Sequence, residues 1–253
     1  MSLQVTPLFL DWTFWAAVLA LVAIVLSQLP PLHLLFRPKR LEVEVHSRIG
    51  VTHKVGNPNA SMVVSIRNTG GRELRVKGLV LNIARDGKPL LSLPAQNYFE
   101  TPSSTSSVLF VPFTLKPGET WAHSVAFLNV FDRLTDKYFR ERLSALDSDI
   151  RQKLRERPQD DNNAVAANSF LVRPFLELFE KLFVWLPGEY VVELQVHAEP
   201  GSASYTKKYR FTLYESDVAD LRSHLDDYKF GGGLAYNVER HSGINIPLTE
   251  HMA

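Results

Sequence analysis

Cysteine is missing from all 253 residues, which excludes disulfides, thiolate metal sites and a cysteine nucleophile and suits a reducing compartment. A charge surplus is missing as well. Lys and Arg number 28 against 27 Asp and Glu, so the overall balance gives no reason to expect nucleic acid as a partner. The chain carries no Walker loop, no nucleophile elbow and no HExxH pair. Its eight histidines are scattered, with His46 and His53 on different elements, and their spacing defines no ligand set. Gly231-Gly232-Gly233 lacks both a preceding strand and a following Lys-Ser/Thr, so it reads as a flexible link rather than a phosphate loop. These absences predict no enzyme, no metal and no cofactor.

Charge is missing locally too, over Trp12 to Leu29 (WTFWAAVLALVAIVLSQL), where only Thr13, Ser27 and Gln28 are polar. A helix of that length rises roughly 27 Å, close to the ~30 Å hydrocarbon core of a bilayer. Trp12, Phe14 and Trp15 fall at one end, where amphipathic rings favour an interface. The sequence therefore predicts a single membrane-spanning helix over 12–29, behind a short tail at 1–11. No Lys or Arg precedes Arg37, and the run ends in Gln-Leu-Pro-Pro; both features argue against a cleaved signal peptide. Residues 30–40 form a basic linker in which Arg37, Lys39 and Arg40 can reach anionic lipid. The positive-inside rule puts the tail outside the inner membrane and everything after residue 37 in the cytoplasm. Within the span, Ala16, Ala20, Ala23 and Ser27 recur at four, three and four, a small-residue face that lets a second helix approach.

From Leu41 the period changes to two. LEVEVHSRI alternates as one half-buried strand, VGNPNA at 55–60 is turn chemistry, and SMVVSIRN is the next strand, closed by Asn68-Thr69-Gly70-Gly71. Leu79, Leu81 and Ile83 mark a buried strand, followed by Asp86-Gly87 as a hairpin turn into Lys88 to Leu93. Two more strands flank Lys116-Pro117-Gly118-Glu119. This succession, with its N-x-G and L-x-P-G-E turns, resembles bacterial immunoglobulin-like or fibronectin-like sandwiches over about residues 41–128 and 187–214. The resemblance implies a fold and no particular activity.

Between those stretches, 129–186 reads as a helical insertion. Phe131, Leu134, Tyr138, Phe139, Leu143, Leu146, Ile150 and Leu154 recur at helical spacing up to Arg157-Pro158. A second helix, SFLVRPFLELFEKLFVWL, presents Phe175, Leu178, Phe179, Leu182 and Leu186, with Phe183 and Trp185 beside them. That face has three candidate covers: the sandwich's open end, the membrane interface, or a partner protein. Phe175, Phe179, Phe183 and Trp185 are the candidate partner face. Residues 215–253 form a short helix, capped by Ser216, and a tail in which Ile244, Ile246 and Leu248 are docking candidates.

The expected fold is mainly β with helical additions: an N-terminal transmembrane helix, then an Ig-like β-sandwich over 41–214, of about seven or eight strands, carrying the insertion. The expected function is a non-enzymatic scaffold that holds a partner protein, or its own copies as a homo-oligomer, at the cytoplasmic face of the inner membrane. An oligomerising membrane effector or channel subunit, gated by its cytoplasmic domain, is the alternative.

Overall fold

Alternating apolar residues become a sheet only when their strands find partners, and here those partners are mostly distant in sequence. The structure is a computed structural model describing residues 12–28, 37–101, 104, 106–158, 163–236 and 243–251. The strands are β1 (Leu41–Val45), β2 (Arg48–Lys54), β3 (Asn57–Asn68), β4 (Leu74–Arg85), β5 (Lys88–Phe99), β6 (Val108–Leu109), β7 (Phe113–Leu115), β8 (Thr120–Leu128), β9 (Gly188–Glu199), β10 (Tyr205–Leu213), β11 (Ile244–Pro247) and β12 (Thr249–Glu250). The helices are α1 (Trp12–Gln28), α2 (Arg133–Glu156), α3 (Ser169–Leu182) and α4 (Glu215–Arg222).

The chain is mainly β, as expected, but the described strands form one continuous, nearly closed sheet. Its order is β11-β2-β3-β8-β5-β4-β9-β10-β12, with β1 on β3, β6 on β5 and β7 on β4. Strand β5 makes it continuous: its first half pairs with β4 (Leu81 opposite Leu93), and its second half pairs with β8 (Tyr98 opposite Val125). A bulge between Ala95 and Asn97 lets the strand turn from one half to the other. The tail narrows the seam by adding a strand to each edge, β11 on β2 and β12 on β10. Inward residues of both halves make the core: Met62, Val64 and Ile66 on β3, Leu79, Leu81 and Ile83 on β4, Val125 and Phe127 on β8, and Val192, Leu194 and Val196 on β9.

Several local expectations need correcting. LEVEVHSRI is two strands, because His46 and Ser47 interrupt a line that otherwise runs along β3. The turn expected at 55–60 is only Val55-Gly56, with Asn57 already in β3; both turn residues have positive φ, 51° and 80°. Asp86 and Gly87 form the expected hairpin with φ of 49° and 77°, the twist that a two-residue β-connection needs. Lys116–Glu119 is a turn closed by Glu119 N–H donating to the Lys116 carbonyl at 3.0 Å, yet β7 and β8 do not pair with each other. They lie on opposite halves of the sheet. The cap of α4 is not Ser216: the Asp217 carboxylate accepts the Tyr214 N–H at 2.8 Å. The glycines at 231–233 form a compact turn, in which Gly231 at φ 73° ends a short 3-10 helix and its carbonyl accepts from Ala235 and Tyr236. Ile246 and Leu248 are buried, so this end of the tail belongs to the core.

Helices α2 and α3 lie between β8 and β9. Asp132 caps α2 by accepting from Leu134 and Thr135 N–H. The helix buries Phe139, Leu146 and Ile150, while α3 buries Val172, Phe175, Leu178 and Phe179.

Candidate functional site

Helix α1 contains four Ala and three Leu and has no Gly or Pro to break it. Its large side chains stay in contact with solvent, including Leu21 at 63% and Ile24 at 60% exposure. Ala16, Ala20, Ala23 and Ser27 are exposed on it, and the Ser27 hydroxyl donates to the Ile24 carbonyl at 2.7 Å. Among the described residues no helix is long and apolar enough to cross a membrane. The described helix has 17 residues, about 26 Å of rise, and residues 29–36 lie outside the described residues. The span expected over 12–29 thus has no structural support as a complete crossing.

The basic segment behind it is placed by a buried asparagine. Asn68, at 0% exposure, joins two loops at one pole of the sheet. Its side-chain N–H groups donate to the Arg72 and Leu115 carbonyls at 2.8 and 2.9 Å, and its Oδ1 accepts from Gly70 N–H at 2.9 Å. Its backbone N–H donates to the Glu119 carbonyl, and its carbonyl accepts from Gly118 N–H. The next residue, Thr69, donates through both N–H and hydroxyl to the Arg40 carbonyl, at 3.1 and 3.2 Å. Arg37, Lys39 and Arg40 are therefore held, exposed, against the β3–β4 turn. Sequence reasoning read Asn68 as a turn residue and missed its role as a hub. Its signal was an asparagine at a strand end followed by two glycines.

The candidate partner face requires a correction. Phe175, Phe179, Phe183 and Trp185 are all buried by the chain's own fold. Phe179 and Phe183 stack with centroids 4.6 Å apart, and the His53 ring meets both edge-on. Arg222, ion-paired to Glu180, covers the same two rings at 5.1 and 5.2 Å. The Trp185 indole N–H donates to the Thr52 carbonyl at 2.9 Å. Phe183 and Trp185 thus lie in the core, not at the membrane or partner contact expected for them. Gly56 explains the close approach: a Cβ there would lie 2.4 Å from the Phe179 carbonyl oxygen.

His53 was passed over as a scattered histidine, yet it joins three elements. Gly56 N–H donates to its Nδ1 at 3.2 Å, so Nε2 carries the hydrogen given to the Leu221 carbonyl at 2.7 Å. Burial raises the Tyr190 phenol above its ordinary value, against the Leu186 backbone bond and nearby Arg85, which lower it. Among the described residues no three His, Asp or Glu side chains are grouped to hold a metal ion.

Apolar surface does remain on the insertion, at a different place. A groove of ≈ 380 Å³ between α2 and α3 is lined by Leu134, Tyr138, Pro174 and Leu178 together with the polar Thr135, Glu177 and Lys181. Leu134 is 78% exposed. Leu134 and Tyr138 stood in the periodic apolar set of the first inserted helix, but periodicity does not say which members stay uncovered.

No family model matches the chain. No curated protein matches it in sequence. Among solved structures, a protein from Archaeoglobus fulgidus matches at 11% identity and a TM-score of 0.25, over 70% of this chain and 97% of that one. A likeness at that score identifies neither a fold relative nor an activity.

Proposed function

We propose that the chain is a membrane-anchored, non-enzymatic interaction module whose sheet domain is held at the cytoplasmic face of the inner membrane. One observation carries the reading: α1 is an uncharged helix whose large apolar side chains are exposed. Leaving them in water forgoes roughly 1.5–3 kcal/mol per large side chain, and lipid is the cover that fits a helix apolar on every face. Its 17 described residues stop short of the ~30 Å hydrocarbon core, and the uncharged run continues in the sequence to Leu29. Arg37, Lys39 and Arg40 behind it support a cytoplasmic orientation by the positive-inside rule. Self-association through Ala16, Ala20, Ala23 and Ser27, as an oligomeric effector or channel subunit would need, is the second reading; the exposure of that face favours it. A reporter fused after Ala253 tests the topology. It is expected to be active only in the cytoplasm, and activity in the periplasm would overturn the orientation.

A further inference from the structure

We propose that the pole built around Asn68 is a docking surface for an anionic lipid bilayer. The inference deepens the membrane reading above and rests on it. Folding adds to the linear run Arg37, Lys39 and Arg40 two cations distant in sequence, Arg72 and Lys116, all exposed. Asn68 holds the carbonyl of Arg72 directly and grips the loop of Lys116 through Leu115, Gly118 and Glu119. Glu73 and Glu119 are the carboxylates of these same loops. One oxygen of Glu119 accepts the Lys116 N–H at 2.7 Å, so that charge is turned toward the backbone. The cations outnumber the carboxylates here, in a chain whose total charge is nearly balanced.

Chain length selects the bilayer as the occupant. Between Gln28 and Arg37 lie residues 29–36, so these two residues can be at most roughly 32 Å apart along the chain. With α1 in lipid, this pole is the part of the sheet closest to the headgroups. The opposite pole, where Leu213 pairs with Gly188 before α4, faces away. Basic side chains beside an anionic leaflet gain about 1 kcal/mol each, and here five act from a fixed scaffold rather than from a loose tail.

The test uses the full chain in vesicles. The native sequence has no cysteine, so Thr114→Cys labels only this pole and Ser216→Cys only the far one. With phosphatidylserine present, a nitroxide-headgroup lipid should quench the label at 114 and spare the label at 216. Arg72→Gln with Lys116→Gln should lower the docked-to-undocked ratio about 25-fold. Both side chains are exposed and only their backbone groups hold the loops, so the fold should persist. Vesicle association with no quenching at 114, or quenching unchanged by the double substitution, overturns the docking while leaving the anchor intact. Salt-sensitive binding to anionic vesicles alone, lost in the double variant, supports the docking and overturns the anchor. Binding to neither vesicle overturns both.

Discussion

Replacing Phe179 by alanine tests what the insertion is for. The ring has 0% exposure, stacks on Phe183 at 4.6 Å, meets His53 edge-on at 5.1 Å and lies under the Arg222 guanidinium. Its removal opens a cavity bounded by α3, the β2–β3 turn and α4, and Gly56 fixes the spacing between two of them, so little collapse is available. Phe-to-Ala changes at such sites cost about 3–5 kcal/mol. For a domain of this size each kcal/mol lowers the melting temperature about 2–4 °C, so the expected fall is about 6–20 °C. The assay is a thermal melt of the full chain in mild detergent, followed by circular dichroism, with a urea titration beside it. Leu134→Ala, at 78% exposure, is the control and should change stability by no more than about 0.5 kcal/mol. A Phe179→Ala protein that melts like wild type but captures less of a partner would refute the assignment of this face to the core.

Three further outcomes follow from the same geometry. Gly56→Ala should destabilise by more than about 1 kcal/mol, since it combines φ +80° with a 2.4 Å approach to helix backbone; urea unfolding measures it. Burial pushes the Asp149 carboxyl up, but hydrogen bonds from Lys153 and the Asn168 N–H, with the Lys153 charge, bring it below its ordinary 3.8. The stability it contributes is therefore present above about pH 3.8 and lost as pH falls from there through the lowered folded value. Asp149→Asn should flatten that part of a melting-temperature profile. In the membrane, Ala20→Leu should reduce self-association measured by cross-linking, whereas Ala17→Leu, off the small-residue face, should leave it unchanged.

Local backbone chemistry was legible in the sequence, and partnership was not. Asp86-Gly87 announced its turn because two residues tolerant of positive φ leave a hairpin few alternatives. Val55-Gly56 makes the same kind of turn with a β-branched residue at positive φ, which no propensity would choose; its burial at 2% holds it there. The alternation of Leu79, Leu81 and Ile83 identified a buried strand, while nothing local said that β5 would leave β4 for β8 or that the tail would add a strand to each edge of the sheet. The aromatic face of α3 was visible from its period. What covers it depends on Gly56, His53 and Arg222, residues 179 is far from in sequence. The basic pole was half legible: Arg37, Lys39 and Arg40 lie together in the chain, but Arg72 and Lys116 are brought near them by strand pairing and the hydrogen bonds of Asn68 and Thr69.

The most direct test of the anchor is flotation of the full chain with neutral phosphatidylcholine vesicles at high salt, where charge attraction is screened. The wild-type protein should float with lipid and resist alkaline extraction. Leu21→Asp with Ile24→Asp, each carboxylate costing about 2.5–3.5 kcal/mol at the centre of a membrane helix, should leave it at the bottom of the gradient with the sheet still folded. Wild-type protein that stays at the bottom, or a double variant that floats equally well, would contradict the account.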